Sequence, residues 1–171
     1  MTNKMKKELE LYIHIPFCVR KCAYCDFRSA PAGREVQAQY VDRLLEEIRE
    51  AAPLTEDYEV VSAFFGGGTP SILPEEEIGR VMDLLHRQFD WKADAEVTIE
   101  ANPGTVDGRK LDAYRSFGIN RISFGLQSAD NEELQKLGRI HTWEQFLESY
   151  EAARTAGFTN INVDLMSALP G

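Results

Sequence analysis

A chain of 171 residues with 43% apolar and 27% charged side chains has the make-up of an ordinary globular protein, long enough for one domain with a buried core. Its formal net charge of −9 speaks against a nucleic-acid binder, which needs a basic face. The opening MTNKMKKELELYI has lysines but no apolar run behind them, so neither a signal peptide nor a transmembrane segment is expected, and the protein is placed in the cytoplasm.

The chain alternates short β-like runs with amphipathic helices. LYIHIPF (11–17) reads as a strand, followed by a cysteine-bearing loop and a helix from about Glu35 to Glu50, with Val41, Leu44, Leu45 and Ile48 on one face. VVSAFF (60–65) is nearly continuous in apolar residues, as in a strand covered on both faces, and GGGTP breaks it. Pro74 and three glutamates open the next helix, since proline suits its first turn and acids suit its positive end. Ile78, Val81, Met82, Leu85 and Phe89 form its buried stripe. EVTIEA (96–101) is a strand, and Asp107 caps a helix running through Phe117. RISFGL (121–126) is a strand, Asp130 with Glu133 and Thr142 with Gln145 suggest capping boxes, and a helix runs to about Ala156. INVDLMSAL (161–169) is the last strand.

Such alternation predicts an α/β fold with parallel strands and helical crossovers. Folds of this kind place their chemistry at the carboxyl ends of the strands. The unusual residues lie there: the cysteine loop, GGGTP, EANPG, GLQS and DLMSALPG. The reading is a partial (β/α) barrel with one active face, truncated after about five strands.

Cys18, Cys22 and Cys25, the only cysteines, are spaced as C-x3-C-x2-C. In a reducing compartment thiols at this spacing are ligands rather than disulfides. Three thiolates can hold three irons of a cubane cluster and leave the fourth iron without a protein ligand. A structural zinc needs four ligands, and His14 is the candidate for the fourth. Tyr24, between the second and third thiols, is either a packing aromatic or a wall against whatever meets the open iron. Gly66, Gly67 and Gly68 with Thr69 match no dinucleotide or phosphate-loop pattern. They form a plain turn or let the backbone approach a small polar ligand closely. Glu100 and Asp164 are acids in apolar strands, costly to bury unless paired. Ribose hydroxyls would suit them, as would a helix N-terminus or an arginine. Gln127 and Arg139 are weaker signals, and His86 and His141 are read as carrying no chemistry.

With these motifs in view, the chain resembles a radical S-adenosylmethionine (SAM) protein. YIHIPFC, CVRKCAYCDF, FFGGGTPSIL, the acid of IEANPGT, ISFGLQS and NVDLMSALPG are together similar to the group around oxygen-independent coproporphyrinogen III oxidase, which includes the HemW-type heme chaperones. The resemblance implies a barrel carrying a 4Fe–4S cluster on Cys18, Cys22 and Cys25, with SAM chelating the unique iron through its amino and carboxylate groups. Reduction of the cluster would cleave SAM to a 5′-deoxyadenosyl radical. Motif by motif, it implies that Tyr12 and Tyr24 contact SAM and that Gly67, Gly68 and Thr69 hold its methionine end. Glu100, Gln127, Arg139 and Asp164 correspond to further SAM contacts. The oxidases of this group carry another cysteine two places after the third; here that position is Phe27, as in the HemW-type members. The implied function is a heme chaperone, with porphyrin-forming oxidative decarboxylation as the alternative. Heme or a porphyrin, an electron-donor protein and heme-acceptor proteins are the implied partners. The chain corresponds to the N-terminal part of the family's barrel, whose remaining strands and carboxyl-terminal domain lie outside these residues.

Overall fold

Five strands carry apolar residues on alternate positions, and helices cover the side to which those residues point. The computed structural model describes residues 6–169. Its elements are β1 (Lys7–Ile15), α1 (Arg34–Ala51), β2 (Tyr58–Gly67), α2 (Glu75–Gln88), β3 (Trp91–Ala101), α3 (Gly108–Ser116), β4 (Arg121–Gln127), α4 (Asn131–Lys136), α5 (Trp143–Thr155) and β5 (Asn160–Leu165). All neighbouring strands pair in parallel, in the order β1-β2-β3-β4-β5. Sequential order with a helical connection between each pair is the wall of a (β/α) barrel, as the alternation predicts.

Ile13 and Ile15, Ala63 and Phe65, Val97 and Ile99, and Ile122 and Phe124 form the outer face of the sheet. They are buried against Val41, Leu45 and Ile48 of α1, Ile78, Val81, Met82 and Leu85 of α2, Leu111 and Tyr114 of α3, and Phe146 and Ala153 of α5. Leu44 and Phe89 pack on this core while only partly buried.

The inner face is different. The register aligns Tyr12, Phe64, Thr98, Arg121 and Asn160 in one row across the sheet. One step towards the carboxyl ends, Glu100, Ser123 and Asn162 form the next. This face is polar and internally hydrogen-bonded: Arg121 donates to Thr98 at 3.2 Å, and Asn162 to Ser123 at 2.9 Å. The sequence reading of 60–65 as a strand covered on both faces is therefore corrected. Val60, Ala63 and Phe65 are buried, whereas Ser62 and Phe64 face the polar interior and are half-exposed.

The caps explain where the helices start. Asp107 accepts the Lys110 amide at 2.8 Å, and Thr142 with Gln145 forms the full reciprocal capping box. The second box is half formed. Asp130 accepts from the Glu132 and Glu133 amides, but the Glu133 carboxylate is taken by the Ser128 hydroxyl. The last strand is shorter than the 161–169 predicted: β5 ends at Leu165, where the Met166 amide makes the final bond of the pairing, to the Gln127 carbonyl at 2.9 Å, and Ala168 beyond it has a positive φ of 57°.

Candidate functional site

The carboxyl end of β1 runs into Pro16 and the cysteine loop, and the loop is anchored at both sides. Cys18 donates its amide to the Ala30 carbonyl at 3.2 Å, and the Ala30 amide returns to Pro16 at 3.0 Å. On the other side Ala23 donates to the Leu137 carbonyl at 3.2 Å and the Arg20 guanidinium to the Gly138 carbonyl at 2.7 Å. The end of α4 therefore holds the middle of the loop. Gly138, in a left-handed conformation with φ 77°, closes that helix and lies against Ala23.

The glycine run at the end of β2 makes the second wall. Gly68 donates to Ile15 at 2.8 Å and Thr69 to Phe17 at 2.7 Å, so this backbone continues the β1 pairing into the loop. A Cβ at Gly68 would lie 2.4 Å from the Phe17 carbonyl oxygen, a backbone atom that cannot step aside. Gly67 has φ 111°, and a Cβ there would strike the His14 ring at 2.5 Å. The glycines are thus required by close approach. Gly68→Ala is expected to destabilise the chain by about 2 kcal/mol, the usual order for forced overpacking. Urea unfolding checks this, and an unchanged midpoint would contradict it.

These walls border an open cavity. Cys18, Cys22, Cys25, Tyr24, Gly67, Gly68, Thr69, Glu100, Gln127, Arg139 and Asp164 all line it. Tyr12 does not: it is 61% exposed, stacked on Phe64, with its hydroxyl 3.3 Å from His14 Nδ1. The other His14 nitrogen lies 3.3 Å from the Arg28 carbonyl, so both ring nitrogens have protein partners away from the thiols. His86 is on the surface against Trp91. His141 is buried on the Leu126 carbonyl, and burial foremost, then the Arg139 charge, lowers its pKa to about 4.

Asn102, Ser123 and Gly125 also line the cavity; the sequence marks the EANPG and GLQS segments but none of these three residues individually. Their signal was positional: each sits at or just after the carboxyl end of β3 or on the inner face of β4. Asn102 accepts from the Arg139 guanidinium at 2.7 Å and donates to the Thr69 hydroxyl at 2.9 Å. Arg139 reaches Cys22 Sγ and the Tyr24 hydroxyl, each at 3.5 Å, and the Gly125 carbonyl. Its Nε is buried with no hydrogen-bond partner among the described residues. Gln127 adopts φ 75°, in the left-handed region that a non-glycine residue enters at a cost, and does so at the cavity.

Glu100 Oε2 accepts the Gly67 amide at 3.1 Å. Burial raises its pKa from 4.5 to about 7, the Gly67 hydrogen bond opposes this, and the Asp164 charge adds to it. Asp164 is held by Asn162 at 2.8 Å and Ser123 at 3.3 Å. Because the folded value lies above the unfolded one, Glu100 favours the folded chain fully below about pH 4.5, and this contribution is lost as pH rises through about 7. Glu100→Gln is therefore expected to raise the stability of the cofactor-free chain by about 1 kcal/mol at alkaline pH, after discounting for partial exposure, and to change little in acid. Thermal melts on both sides of neutrality check this, and an equal gain at both would refute it.

The donor set fits an iron–sulfur cluster. Two of the three sulfurs receive hydrogen bonds, Cys18 from the Thr69 hydroxyl at 3.7 Å and Cys22 from Arg139, as metal-bound thiolates do. Among the described residues no three His, Cys, Asp or Glu side chains gather about a point for one metal ion. All three thiols line the cavity.

Fold and site together define a class: a parallel β/α barrel wall whose active face offers three thiols beside a small polar cavity. The model of the radical SAM superfamily matches residues 12–171, and the chain belongs to that superfamily. Its members bind a 4Fe–4S cluster and SAM. Over 163 residues the chain is 42% identical to the heme chaperone HemW of Escherichia coli K12, covering 95% of this chain and 43% of the relative. It is 40% identical over 167 residues to the oxygen-independent coproporphyrinogen III oxidase of Salmonella typhimurium, covering 96% of this chain and 36% of that protein. The solved structure of the Escherichia coli coproporphyrinogen III oxidase, described as a radical SAM enzyme, superposes with a TM-score of 0.90 at 36% identity, covering 99% of this chain and 39% of that one. The chain thus spans less than half the length of these relatives. None of the described helices is long and apolar enough to cross a membrane.

Proposed function

We propose that this chain is the cluster- and SAM-binding part of a HemW-like protein that carries heme to other proteins in the cytoplasm. Cys18, Cys22 and Cys25 would hold the cluster, which would supply the electron for any reductive cleavage of SAM. Gly67, Gly68 and Thr69 take the methionine end with their backbone groups. Glu100 and Asp164 accept from the ribose and amino donors, Gln127 and Arg139 complete the contacts, and Tyr24 closes the cavity beside the thiols. The orphaned Arg139 Nε supports a ligand acceptor at that place. Tyr12 belongs to this set through its motif, although its ring lies on the inner face beside the cavity. An electron-donor protein serves the cluster.

One residue carries the choice of branch. Phe27 lines the cavity mouth and is 65% exposed, where the oxidase pattern has a further cysteine. A bulky apolar side chain there offers a surface for a porphyrin face in place of a thiol. The test is heme titration of the intact protein with and without its cluster: saturable binding supports the reading, and binding no greater than to albumin of the same concentration ends it.

The second reading is oxygen-independent oxidative decarboxylation of coproporphyrinogen III. It is favoured by the TM-score of 0.90 to the oxidase structure. Anaerobic turnover of coproporphyrinogen to protoporphyrinogen by the intact protein would put this reading first.

A further inference from the structure

The cavity contains a directional hydrogen-bond chain that ends on a thiolate. Arginine can only donate, so the Arg139 Nη2–H contact at 2.7 Å makes Asn102 Oδ1 an acceptor. That fixes which way the amide points. Asn102 Nδ2 must face Thr69, and it donates to Oγ1 at 2.9 Å. The Thr69 hydroxyl, already accepting, spends its single proton on Cys18 Sγ at 3.7 Å. The same arginine donates to Cys22 Sγ at 3.5 Å. Two of the three thiolates are therefore served from Arg139, one directly and one through Asn102 and Thr69.

Asn102 is held for this task. It opens the tight turn Asn102-Pro103-Gly104-Thr105, with proline second, glycine third at φ 76°, and the Thr105 amide donating to the Asn102 carbonyl at 3.1 Å. This is a type II turn with each residue where that turn needs it. Thr105 Oγ1 donates to the same carbonyl at 2.6 Å, and Ser149 accepts the Gly104 amide at 3.0 Å. The backbone is thus tied from two sides and the side chain alone points into the cavity.

We propose that Asn102 is a positioning residue that aims the Thr69 hydroxyl proton at the Cys18 sulfur and thereby raises the reduction potential of the cluster. Hydrogen bonds to cluster thiolates draw charge from the sulfur and favour the more electron-rich reduced state. The inference rests on Cys18, Cys22 and Cys25 being the cluster ligands.

The test is the midpoint potential of the anaerobically reconstituted intact protein, without SAM, followed by electron paramagnetic resonance. Thr69→Val removes the proton and keeps the shape; the potential should fall. Thr69→Ser restores a hydroxyl and should return it towards that of the unaltered protein. In Asn102→Asp the carboxylate still accepts from Arg139 but now also accepts from the Thr69 hydroxyl, turning its proton away from Cys18. The potential should fall here too. A new negative charge alone would also lower it, so the double variant decides. With no hydroxyl to redirect, its shift should be smaller than the sum of the two single shifts, whereas a purely coulombic effect adds. Should the aspartate variant not fold, Asn102→Ala carries the test, since a hydroxyl freed of its partner is no longer aimed and the potential drops part of the way. Additive shifts, or a potential unmoved by Thr69→Val and Asn102→Ala, overturn the proposal. An unaltered protein with no cluster couple overturns the cluster reading and this inference together.

Discussion

Cys22→Ser is expected to emerge from anaerobic reconstitution without the brown absorption of an iron–sulfur cluster and without affinity for SAM. A serine hydroxyl is a hard, protonated oxygen at neutral pH and a poor substitute for a thiolate on iron. Cys22 is also the sulfur that Arg139 touches, so its loss leaves that guanidinium facing an open wall. Because removal of even an outer partner of a metal ligand costs about 10–100-fold in affinity, loss of a ligand should weaken SAM binding by more than about 100-fold. Calorimetry with SAM on the reconstituted variant measures it. The alternative role for the cluster is a purely structural one. It predicts a less stable protein whose SAM affinity is unchanged, and that result would remove the open iron from the account.

The second large effect concerns the wall beneath the site. Phe124 is fully buried on the outer face of β4, one residue before Gly125 and three before Gln127, and meets Phe146 of α5 edge-on at 6.1 Å. Phe124→Ala is expected to cost about 3–5 kcal/mol, because the rigid sheet behind it cannot collapse into the space. That is a large share of the stability of any single domain, about 5–15 kcal/mol in all. In urea the midpoint should fall with the slope preserved. A loss under about 1 kcal/mol would mean that the core at this point is loosely packed.

The parallel β/α order was legible because its signals are local. Asp107 and Thr142 start helices with side chains that reach only three residues. Val41, Leu45 and Ile48 fall on one face by period alone. The three cysteines were legible for the same reason, being packed into one short loop. What the reading got wrong depends on partners far along the chain. The half-covered face of β2 is the same inner face that carries the polar rows of β3 and β4 beside it in the sheet, and no window of ten residues contains that fact. β5 pairs only as far as Gln127 on β4, thirty-nine positions before Met166, and Gln127, at φ 75°, lies where the register of the strand pair shifts. The Asp130 box is the exception, lost to a local rival: the Ser128 hydroxyl, five residues away, takes the Glu133 carboxylate.

The site shows the same division. Cysteines, glycines and strand-end acids are conspicuous by type. Asn102 is an ordinary asparagine in a turn, and only the fold sets it between Thr69, thirty-three residues before it, and Arg139, thirty-seven after. Arg139 was, with Gln127, among the weaker sequence signals, yet in three dimensions it touches the Cys22 sulfur, the Tyr24 hydroxyl, Asn102 and the Gly125 carbonyl. A residue that ties several strand ends together shows no periodicity and no motif, so the sequence hides it.

Everything functional depends on three sulfurs holding a cluster whose remaining iron is open to SAM. The most direct measurement is electron paramagnetic resonance of the reduced, reconstituted protein before and after SAM is added. The account predicts a reduced 4Fe–4S signal whose g-values change on adding SAM, and no such change for Cys22→Ser. A signal indifferent to saturating SAM, or a protein that takes up zinc alone, would contradict it.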